Sequence, residues 1–223
     1  MQLDRRETVL FVGRMVLLAT LFLVIAGVGY IFVPYDQKLI LFSDKYFKSF
    51  KELPYFYYIF WTFMFLQASV MIGVVSMFHC VHEELNTPLF VWISRLSTLG
   101  YLLMGLTYVS RLYYMPKVTR EYLGGSDIVK EVVIAGGTME FDKFLMSFGF
   151  ASLWFFTLAI YSVRCKLFNV AIRVINFVCA FGYFIGLLGY FVQTRILTTG
   201  SSILVIIFPV WAIEMYKYCK KVA

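Results

Sequence analysis

The chain has 223 residues, of which 61% are hydrophobic and 15% charged, and its formal net charge is +7. With a mean hydropathy of +0.79, this composition excludes a soluble domain, which needs a far more polar surface. The four cysteines are scattered without a C-x-x-C pair, which excludes a disulfide framework and a redox motif.

The expected class is all-α: a polytopic transmembrane helical bundle forming one domain over 1–223, with spans near 10–33, 54–79, 88–113, 143–163, 168–193 and 198–216. Each run supplies the roughly 20 apolar residues needed to cross about 30 Å of hydrocarbon at 1.5 Å per residue. The first run lacks a cleavage-site pattern and is expected to stay as a helix. Pro34, Pro54, Pro88 and Pro116 punctuate the ends of the first three spans, and Pro209 predicts a kink inside the last.

After the first span, "SDKYFKSFKEL" (43–53) places Tyr46, Phe47, Phe50 and Leu53 on one helical face, with Asp44, Lys45, Lys48 and Lys51 largely opposite. This pattern predicts a short interfacial helix, with an ordinary polar loop as the alternative. The second span opens on "PYFYYIFWTFMF" (54–65), whose Tyr and Trp residues suit an interfacial aromatic belt. It closes on "HCVHEEL" (79–85), which holds both histidines of the chain. On a continuing helix His79, His82 and Glu83 would share one face at i, i+3 and i+4, a geometry compatible with a metal. Metal sites usually draw ligands from several elements, and no other histidine exists, so the expected reading is the polar end of a helix and no metal. No other cofactor is expected.

The third span contains two arginines. Leu96 to Ser110 carries no charge and covers roughly 22 Å between Arg95 and Arg111, less than the hydrocarbon thickness. At least one of the two must therefore enter the apolar layer, and Arg95, which follows the uncharged run 85–94, is the expected intruder. The connection 117–142 includes "SDIVKEVVIAGG", which predicts another short helix with Ser126 as N-cap and Gly136 just past its end. The fifth span carries Cys179, Gly182, Gly186, Gly189 and Gln193 on one stripe. Such a stripe lets another backbone approach closely, either inside the bundle, for instance at Ser147 and Ala151, or across a seam with a copy or a partner protein.

An even number of spans puts both chain ends on one side. The 20 Lys and Arg divide evenly between the two sides, so charge bias gives no orientation. Cys80, Cys165 and Cys219 all fall on the terminal side, which favours cytoplasmic termini. Alternating helix direction also brings Arg14, Arg95, Arg173 and Glu214 to that side, in one layer with the "HCVHEEL" stretch. If these side chains point inward, they form a basic pocket for a lipid phosphate, an anionic solute or an acidic residue of a partner. Snorkelling to the membrane surface and an internal Arg95–Glu214 pair are the alternatives.

The segment "FGFASLWFFTLAIYSVRCKLFNVAIRVINFVCAFGYFIGLLGYF" (148–191) resembles a class of six-helix bacterial membrane proteins in which an "LW" helix, a short basic turn and a Gly-rich helix follow one another. That resemblance implies a six-helix bundle and transfers no activity and no functional residue.

No serine–histidine arrangement, paired in-membrane aspartates, H-E-x-x-H or phosphate-binding glycine loop is present. The first functional expectation is therefore a non-catalytic integral membrane protein, an accessory or structural subunit of a homo- or hetero-oligomeric assembly. The second is a small channel or carrier for an anionic or lipid-like solute, using Arg14, Arg95 and Arg173. An enzyme is third, with no catalytic residue to assign. The expected partners are anionic lipid head groups and a protein or second copy along helix 168–193. No basic tail or zinc spacing points to nucleic acid.

Overall fold

The computed structural model describes residues 5–38, 44–51, 54–137, 142, 144–192 and 203–223. Eight α-helices are defined there: α1 (Arg5–Phe32), α2 (Asp44–Lys48), α3 (Tyr55–Met77), α4 (Pro88–Gly124), α5 (Asp127–Gly137), α6 (Leu145–Arg164), α7 (Val170–Phe191) and α8 (Ile203–Val222). Short 3₁₀ turns cover Tyr35–Lys38, Ser49–Lys51, Phe78–Cys80 and Glu83–Leu85. The all-α bundle read from the sequence is the fold. Among the described residues five stretches are long and apolar enough to cross a membrane: Arg5–Phe32, Tyr55–Cys80, Pro88–Met115, Leu145–Arg164 and Val170–Phe191. α8 differs because Glu214, Lys217, Lys220 and Lys221 crowd its second half; the first residues of the expected sixth span, 198–202, lie outside the described set.

The six long helices close a ring in which each packs against the next in sequence and α8 returns to α1. Local chemistry sets several helix starts. The Thr87 hydroxyl accepts the Phe90 N–H at 3.3 Å and Pro88 follows at the first helical position. The Asn169 side chain likewise accepts the Ile172 N–H at 2.8 Å at the head of α7. α6 is started by Asp142, whose carboxylate accepts the Met146 N–H at 2.8 Å and the Ser147 N–H at 3.3 Å.

Inside the ring Phe78, Trp154, Phe155, Phe208 and Trp211 are fully buried. Their rings touch in series, with centroids 5.0 Å apart for Phe78–Trp154, 4.9 Å for Trp154–Phe155, and 5.2 Å for both Phe155–Trp211 and Phe208–Trp211. Lipid is as apolar as these rings, so shape-matched van der Waals contact holds the helices together and not escape from water. The indole N–H groups need acceptors in so dry a place. Trp154 donates to Ser94 at 3.1 Å, and Trp211 donates to Asn176 at 2.7 Å. Asn176 in turn donates to Ser162 at 3.1 Å.

α4 departs most from expectation. It runs through Pro116 to Gly124 instead of ending near 113. The reason is tertiary. Met115 and Tyr122 are buried in a second core with Tyr46, Phe47 and Tyr57, and Val118, Val133 and Ile134 pack against it, which offsets the hydrogen bond lost at proline. The interfacial helix predicted at 43–53 appears as α2 and the turn after it. Its apolar side faces protein: Tyr46 and Phe47 are fully buried, and Phe47 stacks on Tyr122 at 4.4 Å. Leu53 lies outside the described residues. α5 runs to Gly137, one residue beyond the glycine expected to follow it.

Asp44 ties this cap together. It accepts from Tyr122 at 2.8 Å and pairs with Lys48 at 2.6 Å. The Lys48 contact, followed by the Tyr122 hydroxyl, holds the carboxyl below the usual aspartate value. A depressed folded-state pKa adds stability above the unfolded value and withdraws it as pH falls through the folded one. Acidification below the ordinary aspartate range is therefore expected to loosen α2 selectively, seen as faster amide exchange over 44–51. Asp44→Asn should remove that pH dependence. If both proteins respond to acid alike, Asp44 has no such role.

Candidate functional site

The layer predicted near the chain ends exists as an arrangement of helix termini. Arg5 at the head of α1 pairs with Glu83, which follows α3. Thr87 at the head of α4 meets the Tyr161 hydroxyl of α6 at 2.7 Å. Asn169 before α7 reaches Glu214 of α8 at 3.4 Å. The beginnings of α1, α4 and α7 and the ends of α3, α6 and α8 thus share one face.

The side chains on that face do not form the pocket. Arg14 and Arg95 are exposed on the outside of the ring. Arg95 shares its outward stripe with Trp92, Leu99, Leu102 and Leu106, all exposed. Arg173 is half-buried, and its Nε donates to the Phe168 carbonyl at 2.8 Å, bracing the α6–α7 turn. Glu214 is held by Lys217 at 2.7 Å and by Asn169, not by Arg95. The three arginines therefore do not converge on a shared inward cavity. The reason is angular: helix direction sets depth, while the packed face decides which way a side chain at that depth points.

The "HCVHEEL" stretch also leaves the predicted helix. α3 ends at Met77, and two separate 3₁₀ turns follow with His82 in extended backbone between them. His79, His82 and Glu83 therefore do not share a face. The His79 ring lies 3.4 Å from Cys80 Sγ, His82 Nδ1 accepts the Glu84 N–H at 3.3 Å, and Glu83 goes to Arg5. Among the described residues no three His, Cys, Asp or Glu side chains group as metal ligands.

Gly182, Gly186 and Gly189 are buried; Gln193 of the same stripe lies outside the described residues. Gly182 faces α8, since a Cβ there would stand 2.7 Å from Leu204 Cδ2. The matching contact from α1 is Gly27, where a Cβ would stand 2.7 Å from Val205 Cγ1. At these two positions an added Cβ would force the facing α8 side chain to shift, so the glycines let α8 sit close to both α1 and α7. Gly182→Ala is expected to cost about 1–3 kcal/mol through overpacking, and adding Leu204→Ala should recover part of it. Equal stability of wild type and Gly182→Ala, measured by denaturation in mixed micelles, would remove this contact from the account.

Sequence reasoning chose Arg95 over Arg111 as the arginine inside the apolar layer, and the structure encloses Arg111. It is only 9% exposed, at the opposite end of α4 from the shared face. Its guanidinium lies over the Trp61 ring, 5.4 Å from the centroid, and beside the Tyr57 hydroxyl. Tyr57 in turn stands 3.4 Å from the Tyr46 hydroxyl of α2. Arg111 thus joins the α3–α4 pair to the cap. The dense Tyr and Trp at the start of α3 was the available signal, since such rings can house a cation.

These features define a multi-pass α-helical membrane protein. No family model, curated protein or solved structure matches the chain.

Proposed function

We propose that the protein is a non-catalytic integral membrane protein acting as an accessory or structural subunit of a membrane assembly. The observation that carries this reading is Arg95, a guanidinium exposed on a lipid-facing stripe that is otherwise Trp92, Leu99, Leu102 and Leu106. A charge placed there is costly without an anionic neighbour, and an acidic residue on an adjoining subunit supplies one. The aromatic packing inside the ring fits a rigid scaffold better than a carrier's water-lined site. The chain ends are assigned to the cytoplasm on the placement of the cysteines. A cysteine introduced at position 2 and labelled by an impermeant reagent in intact cells would reverse that assignment.

Native mass spectrometry from mild detergent tests the assembly. The wild-type chain is expected to carry a second copy or another polypeptide, and Arg95→Leu is expected to release it. A monomeric wild type, or an assembly indifferent to Arg95→Leu, would count against the proposal.

A further inference from the structure

We propose that a cleft at the head of α1 binds a phosphate-bearing group, a site independent of the subunit reading above. The cleft has a volume of about 370 Å³ and is lined by Arg5, Arg6, Val9, Val81, His82 and Val222. That is within the range of small-ligand sites, roughly 300–1,000 Å³. Val9 and Val81 are buried and give it an apolar floor, while the polar side chains lining it are all hydrogen-bond donors.

The histidine is oriented for this. His82 Nδ1 accepts the Glu84 N–H at 3.3 Å, so the ring proton sits on Nε2 and that nitrogen can only donate. Two guanidiniums add planar, permanently charged forks whose geometry matches phosphate oxygens. Arg5 pairs with Glu83, whose own side chain is 81% exposed. An ion pair that exposed is worth little. An entering phosphate can therefore displace Glu83 into solvent and take over Arg5. Lys220 and Lys221, exposed just before Val222 at the end of α8, add positive charge to the same side.

The phosphate can belong to an anionic lipid head group or to a soluble phosphorylated compound, and two probes separate these sources. One is the purified protein in nanodiscs of phosphatidylcholine with a titrated share of phosphatidylglycerol. The other is the detergent-solubilised protein titrated with glycerol 3-phosphate. Saturable binding of the first alone identifies a lipid, of the second alone a solute, and either supports the site. Arg5→Gln with Arg6→Gln should weaken the binding about tenfold or more. Glu83→Gln should strengthen it several-fold, because it removes the competitor for Arg5, and it remains informative if the double arginine variant does not fold. Arg14→Gln with Arg95→Gln should leave binding unchanged. Absence of saturable binding to both probes, indifference to Glu83→Gln, or equal loss in the Arg14 and Arg95 variant would overturn the proposal; the last would reduce it to general attraction between a cationic surface and anions.

Discussion

Trp211→Ala is expected to lower the unfolding free energy by about 3–5 kcal/mol. Trp211 is fully buried and touches Phe78, Trp154, Phe155 and Phe208, so its removal opens a void at the meeting point of α3, α6 and α8. Lipid cannot reach that void, and the rings around it lose contacts that nothing replaces. A polar cost comes on top: Asn176 Oδ1 loses the donor it had at 2.7 Å, and an unsatisfied buried acceptor costs about 1–3 kcal/mol. Trp211→Phe separates the two, since it keeps most of the ring and discards the N–H. It should cost about 1–3 kcal/mol. Circular dichroism during denaturation in mixed micelles measures both, and a loss below about 1 kcal/mol for the alanine variant would mean that the helices close up around the missing ring.

The second large effect is expected at Arg111. Arg111→Ala should cost about 2–4 kcal/mol, from a desolvated cation–π contact with Trp61 and the lost packing of a buried side chain. Its location makes the loss specific. From Arg111 the contacts run through Tyr57 to Tyr46, so removing the guanidinium frees α2 and leaves the aromatic core of the ring intact. Amide exchange should rise over 44–51 and stay unchanged over the middles of α6 and α7. Tyr57→Phe breaks the same chain without removing a charge and should give a weaker form of the same pattern. Uniformly faster exchange across the bundle would instead make Arg111 an ordinary core residue.

The two arginines of α4 show how far sequence reasoning reaches. The uncharged run from Leu96 to Ser110 is shorter than the apolar layer, so a charge had to enter it. Counting residues located that conflict but could not say which arginine the protein would enclose. Arg95 faces outward, while Arg111 is covered by Trp61, Tyr57 and the cap. The cap is built from segments 44–51 and 115–137, and contacts that distant in sequence leave no periodic trace. The glycine stripe was legible as a close approach, but not its partner. Gly182 meets Leu204 of α8, a helix the stripe alone did not point to. "HCVHEEL" was legible as a polar helix end, and the break at Met77 then separated the residues that a longer helix would have aligned.

What the amino-acid order determined by itself was membrane residence, the all-α class and the rough place of each long helix. A bilayer of set thickness demands apolar runs of set length with every backbone group satisfied inside its own helix, and those demands are local. Only the tertiary structure decided that the six long helices form a closed ring with α8 seated against α1, that Asn176 lies within reach of Trp211, and that Arg5, Arg6 and His82 border one cleft. Such outcomes depend on how each helix is rotated and tilted against its neighbours. Packing between surfaces far apart in the chain sets that rotation, and hydropathy along a single run does not contain it.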